Sequence, residues 1–150
     1  DTRKTTPGLR ALEKYAVRAG GGTNKRMGLY DVAMIKDNHV LAAGGVAAAY
    51  HAVTEAFPEV PVEVEVDDVE GAVEAATAGA ALVLLDNFSV ADVRRAVEAV
   101  GGRARLEVSG GLTLGNAHAY GATGVDYLAV GALTHSAPAL DIAFDLREVR

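Results

Sequence analysis

Each apolar run in this chain stops at a polar or glycine residue, and the stops recur at nearly even spacing. MIKDNH carries Lys36, VEVEVDD carries Glu65, LVLLDN carries Asp86, RLEVSGG ends in Ser109-Gly110-Gly111, and YLAVG ends in Gly131. Successive stops lie 29, 21, 23 and 22 residues apart, about the length of one strand plus one helix. A chain with this rhythm is built from βα units, whose parallel strands all point one way. Their ends then gather on one rim, which is where barrel enzymes hold their chemistry.

The segments between the stops carry matching signals. Pro7 and Gly8 open a helix over LRALEKYAVRA, with Leu9, Leu12, Ala16 and Ala19 at helical spacing, and Gly20-Gly21-Gly22 ends it. TNKRMGLYD is a polar loop before the short strand VAMI (32–35). VAAAYHAVTEAF (46–57) is a helix stopped by Pro58. PVEVEV (61–66) alternates as a strand, and VEGAVEAATAG is a helix with Asp67 or Asp68 as its N-cap.

ALVLL (81–85) has the continuous apolar character of a strand buried on both faces. Ser89 caps the helix VADVRRAVEAV, ARLEV is the next strand, TLGNAHAYGATG holds a short helix, and VDYLAV (125–130) is the last strand. LTHSAPALDIAFDL is less regular. The fold class is therefore α/β, an incomplete (β/α) barrel with parallel strands. A closed eight-unit barrel takes about 250 residues, and this chain has 150. A doubly wound open sheet is the main rival. It is disfavoured because polar residues end nearly every strand rather than clustering at one switch point.

Composition narrows the partners. A formal charge of −6 argues against a generic nucleic-acid surface, yet eight of the fourteen lysines and arginines fall within the first 36 residues. A basic segment in an acidic chain suits a small anion. The absence of cysteine excludes disulfides and thiolate metal sites, and no apolar run approaches the roughly 18 residues of a membrane span. With no signal-peptide pattern at its start, the expectation is a soluble cytoplasmic protein.

Three groups of residues carry candidate chemistry. Arg3, Lys4, Lys25, Arg26 and Lys36 form a basic set suited to a ligand with two carboxylates, because arginine forks carboxylates and lysine supplies a point charge. Glu65 and Asp86 end neighbouring strands, where acids serve ribose hydroxyls, Mg²⁺ or an oxocarbenium-like centre. Glu63 shares the parity of Glu65, so the choice between them stays open. Ser109, Gly110, Gly111 and Gly131 form glycine turns able to cradle phosphate. The histidines His39, His51, His118 and His135 lack metal-ligand spacing. His39 and His135 fall in loops near the rim, and no direct protein metal ligand is assigned.

DTRKTTPGLRALEKYAV, GGGTNKRMGLYDVAMIKDNH, VEVEVD, LLDN, EVSGG and TGVDYLAVGALTHSAPALD together resemble, in order, the barrel domain of the quinolinate phosphoribosyltransferase family. The resemblance runs from Asp1 to about Asp145. It implies that residues 1–150 form a C-terminal catalytic barrel domain, with its first strand largely missing and an N-terminal domain ahead of it. It also implies a homodimer, in which that N-terminal domain lends a basic residue to the partner's site.

The implied reaction joins quinolinate to phosphoribosyl pyrophosphate with Mg²⁺, giving nicotinate mononucleotide, pyrophosphate and CO₂. Carried over by motif, Arg3, Arg26 and Lys36 bind the quinolinate carboxylates, with Lys4 beside them. Glu65 and Asp86 serve the ribose, Ser109, Gly110, Gly111 and Gly131 hold the 5′-phosphate, and Thr5, Lys25 and His135 complete the implied substrate-binding set. Lys4, Lys36, Glu65 and Asp86 are the implied catalytic set. The family commonly reads GGG-x-Asn-His-Arg, and Lys25 stands where that histidine would be. A transferase for another heterocyclic acid and a non-catalytic anion-binding fragment are the alternatives.

Overall fold

The computed structural model describes residues 1–147. The elements run in chain order: α1 (Arg10–Ala19), β1 (Ala33–Ile35), α2 (Asp37–Ala43), α3 (Val46–Ala56), β2 (Val62–Val66), α4 (Val69–Thr77), β3 (Leu82–Asp86), α5 (Val90–Val100), β4 (Arg105–Ser109), α6 (Leu114–Gly121), β5 (Tyr127–Ala129) and α7 (Ala132–His135). The five strands form one sheet in the order β1-β2-β3-β4-β5, every pair parallel. Sequential order with a helix after each strand is the barrel path, and the sheet is open between β5 and β1 among the described residues.

The register divides the sheet into two chemically different faces. Ile35, Val64, Val83, Leu106 and Val66, Leu85, Val108 lie in adjacent rows on the face that carries the helices. With Ala49, Ala72, Ala75, Val93, Ala96 and Val100 they form the apolar core. Alanine dominates the helix side of that core, which lets α4 and α5 sit close to the strands and to each other. The opposite face takes the alternate residues: Met34 pairs with Glu63, Glu65 with Leu84, Leu84 in turn with Glu107, and Asp86 with Ser109. A period-two strand places successive side chains on opposite faces. The alternation VEVEV therefore sends valines to the core and both glutamates to the other face.

Helix caps fall where small polar residues stand. Asp68, rather than Asp67, accepts the Gly71 N–H at the start of α4, and Ser89 accepts the Asp92 N–H at the start of α5. Thr113 and Asn116 form a reciprocal capping box on α6. Helix α2 is an addition to the sequence reading, which places His39 in a loop. Residues 37–43 form a helix with no buried residue, so no apolar stripe announces it. It is defined instead by its ends: Lys36 N–H donates to His39 Nδ1 at 2.9 Å, and Gly44 closes it in the left-handed conformation. His135 is likewise on a helix, α7, and not in a loop. Among the described residues no helix is long and apolar enough to cross a membrane.

Candidate active site

The polar face of the sheet becomes a site because two N-terminal segments lie against it. Arg10, at the start of α1, staples them together: its guanidinium donates to Thr5 Oγ1 (3.0 Å), to the Arg3 carbonyl (3.2 Å) and to the Met27 carbonyl (3.3 Å). Lys14, one turn further along α1, is 1% exposed and donates to Asp1 Oδ1 (2.9 Å) and to the Lys25 carbonyl (3.1 Å). Burial holds the Lys14 ammonium below its ordinary pKa, with Arg10 adding to the effect. Arg10 and Lys14 belong to the basic run but not to the predicted site. Their helical position on α1 explains this, since they anchor the loops that carry the site cations.

Arg3, Lys4, Lys25, Arg26, Lys36, Glu65, Asp86 and Ser109 line one cavity of about 310 Å³, floored by Met34, Leu84 and Ala129. The predicted cationic and acidic groups therefore converge, although Arg3 and Asp86 are separated by 83 residues in sequence. Lys36 Nζ donates to Glu65 Oε2 at 2.5 Å. Arg26 is oriented by the Val32 carbonyl (3.2 Å) and Met34 Sδ (3.4 Å). A second, more acidic chamber of about 460 Å³ shares Lys36, Glu65 and Asp86 and extends to Asp37, Asp67, Asp68 and Glu74. Lys36, Glu65 and Asp86 thus form a wall with space on both sides.

The glycine turns adjoin this cavity. Gly110 has φ +100°, and a Cβ there would meet Asn87 Oδ1 at 2.2 Å, so both conformation and close approach require glycine. At Gly131 the backbone is ordinary. There it is the His135 ring that leaves no room, because a Cβ would lie 2.6 Å from His135 Nε2. His135 Nδ1 lies 2.7 Å from Ser136 Oγ. Gly111 is exposed and open. Thr5 turns its hydroxyl to Arg10 and does not line the cavity.

The parity question is answered by what each glutamate touches. Glu65 is part of the cavity wall, whereas Glu63 is 1% exposed and lies deeper, on the same face. Lys25 reaches down to it: Lys25 Nζ donates to Glu63 Oε1 at 2.6 Å and to Glu107 Oε1 at 2.7 Å. The ammonium predicted as a ligand contact is thus shared by two carboxylates beneath the cavity. Glu63 Oε2 has no hydrogen-bond partner, and burial raises the Glu63 carboxyl above its ordinary pKa against the opposing pull of Lys25.

That upward shift has a pH signature. Between the unfolded and folded pKa values the folded chain binds more protons at Glu63, so its contribution favours folding below the unfolded value and is lost as pH rises through the folded one. Glu63→Gln, which still offers Lys25 an acceptor, is expected to flatten the stability profile. Its thermal midpoint should gain on the parent's as pH rises from 5 to 8, and parallel profiles would sink the idea.

An open run of parallel βα units, with cations, carboxylates and a glycine turn gathered at the carboxyl ends of its strands, is a barrel-type domain with a charged cavity on its rim. The family model described as quinolinate phosphoribosyl transferase, C-terminal domain, matches residues 1–145, and the chain belongs to that family. It is 58% identical over 149 residues to the nicotinate-nucleotide pyrophosphorylase [carboxylating] of Mycobacterium leprae (strain TN), covering 97% of this chain and 52% of that protein. To the probable nicotinate-nucleotide pyrophosphorylase [carboxylating] of Bacillus subtilis (strain 168) it is 48% identical over 147 residues, covering 97% and 51%. The crystal structure of NadC from Streptococcus pyogenes superposes with a TM-score of 0.90 at 45% identity, covering 94% of this chain and 50% of that one. The chain spans about half the length of these relatives.

Proposed function

We propose that this domain carries the catalytic centre of a quinolinate phosphoribosyltransferase, which transfers the phosphoribosyl group to the pyridine nitrogen of quinolinate and releases pyrophosphate and CO₂. The observation that carries the reading is one cavity on which the cations Arg3, Lys4, Arg26 and Lys36, the carboxylates Glu65 and Asp86 and the Ser109 strand end meet. The relatives' names support the same activity.

The charges follow the chemistry. Quinolinate brings two adjacent carboxylates that repel each other. Arg3, Arg26 and Lys36, with Lys4 beside them, supply the counter-charge, two of them as planar forks. As the bond from the anomeric carbon to pyrophosphate breaks, that carbon becomes cationic, and Glu65 and Asp86 stabilise it. The Ser109-Gly110-Gly111 turn, with Gly131 and His135, receives the 5′-phosphate. Lys25 supports this cationic side from below, through Glu63 and Glu107. The N-ribosylated pyridinium then accepts the electron pair left at its 2-position as CO₂ departs, and a proton takes the vacated place.

Mg²⁺ fits the acidic wall. It is commonly held by one or two carboxylates together with substrate phosphates, and Glu65 and Asp86 are oxygen donors of that kind. Among the described residues no group of three or more acids or histidines forms a protein cage for it. Bound with the diphosphate, it would offset the charge of the leaving group.

In this reading the protein acts in the cytoplasm, in NAD biosynthesis, as a homodimer. Isothermal titration with quinolinate and with phosphoribosyl pyrophosphate plus Mg²⁺ tests it. Binding of both, followed by release of nicotinate mononucleotide from the complete enzyme, is the expected result. Binding of the donor alone would favour a transferase for another heterocyclic acid, and binding of neither would favour a non-catalytic domain.

A further inference from the structure

Asn87 is the only non-glycine residue with positive φ among the described residues, at +57°. Asparagine tolerates this conformation better than most residues, but it is still held there by its surroundings. Those surroundings are specific. The Asn87 N–H donates to the Ser109 carbonyl at 2.9 Å, and the next residue, Phe88, is 5% exposed in the core, with its carbonyl accepting from the Tyr120 hydroxyl at 2.9 Å. The turned backbone aims the Asn87 side chain back along the rim.

There the amide touches both halves of the site. Asn87 Nδ2 donates to Asp86 Oδ2 at 2.9 Å. Its Oδ1 lies against Gly110, so closely that a Cβ at Gly110 would be 2.2 Å away. Asp86 and Ser109 are also direct partners in the β3–β4 register. One side chain therefore spans the acidic wall and the glycine turn.

We propose that Asn87 is a positioning residue, which fixes the Asp86 carboxylate and the Ser109-Gly110-Gly111 turn at one separation. Its contribution to rate rests on the transferase reading above; its contribution to geometry does not. Because Asp86 would face the anomeric carbon while the turn holds the far phosphate, a change in their separation misplaces the reacting centre. Misplacement of about an ångström costs up to about a hundredfold in rate.

Asn87→Gly is the test, since glycine accepts positive φ without strain and removes only the amide. The variant is expected to fold with an unchanged cooperative transition, and its crystal structure should show the Asp86 carboxylate displaced. In the complete enzyme kcat should fall by about ten- to a hundredfold with little change in KM for quinolinate. Asn87→Asp keeps the size but sets a second carboxylate against Asp86, and should lower kcat further. An Asp86 carboxylate that stays in place in Asn87→Gly crystals, or a kcat equal to the parent's in an active enzyme, would overturn the proposal. If the parent enzyme shows no transfer to quinolinate, the functional reading fails, and the position of Asp86 in the crystals alone decides for or against Asn87.

Discussion

Replacing Lys25 with methionine is expected to destabilise the domain by about 3–5 kcal/mol, the cost of removing one partner from a buried charge cluster. Glu63 is 1% and Glu107 10% exposed at the side chain, and the Lys25 ammonium is the cation common to both. Without it, two carboxylates face one another beneath the site with little water to screen them. Chemical denaturation should record the loss as a lower midpoint. Adding Glu63→Gln and Glu107→Gln to the same chain should recover most of it, because the penalty arises from unpaired charge rather than from lost packing. A loss below about 1 kcal/mol, the scale of an exposed pair, would show that the cluster is solvated and that Lys25 is free for a ligand.

Asp86→Asn is expected to lower kcat by about 10²–10³-fold, the scale on which a single electrostatic stabiliser of a transition state acts. The substitution preserves shape and the contact with Asn87 while removing the charge that would face the developing cation. Since that charge develops only in the transition state, kcat and kcat/KM should fall together. Glu65→Gln should behave differently. Lys36 is held at 2.5 Å by Glu65, and neutralising the acid releases the ammonium for the substrate. The expected signature is a lower kcat with a lower KM for quinolinate. Steady-state kinetics on the complete enzyme distinguishes the two patterns, and a kcat within about threefold of the parent's for Asp86→Asn would remove Asp86 from the mechanism.

The strand ends were legible because they depend on local patterning. Lys36, Glu65, Asp86 and Ser109 each follow or close an apolar run. Parallel βα topology carries such ends to one rim whatever the intervening helices contain. The gathering of Arg3, Lys4, Arg26 and Lys36 with these acids on one cavity accords with the basic run near the start of the chain. Helix α2 was not legible, since a helix with no buried residue has no apolar period to read.

The linkages were not legible either. Arg10 and Lys14 look like solvated charges on a helix, yet they bind the backbones and side chains of two loops. Asn87 is one polar residue after a strand, and only its backbone conformation aims it at Asp86 and Gly110.

The sequence by itself determined the repeating unit, the parallel direction of the strands, and which residues stand at their ends, because hydrophobic period and strand length are properties of neighbours in the chain. It left Glu63 and Glu65 equivalent, since both occupy the same face of β2. Only the family resemblance singled out Glu65, and the tertiary structure supplies the physical reason. Depth along the strand puts Glu65 on the cavity wall beside Lys36, and Glu63 below it, desolvated and bound to the Lys25 ammonium that Glu107 shares. Burial and partner are set by what other segments bring to a residue, and for Glu63 those segments come from 38 and 44 positions away.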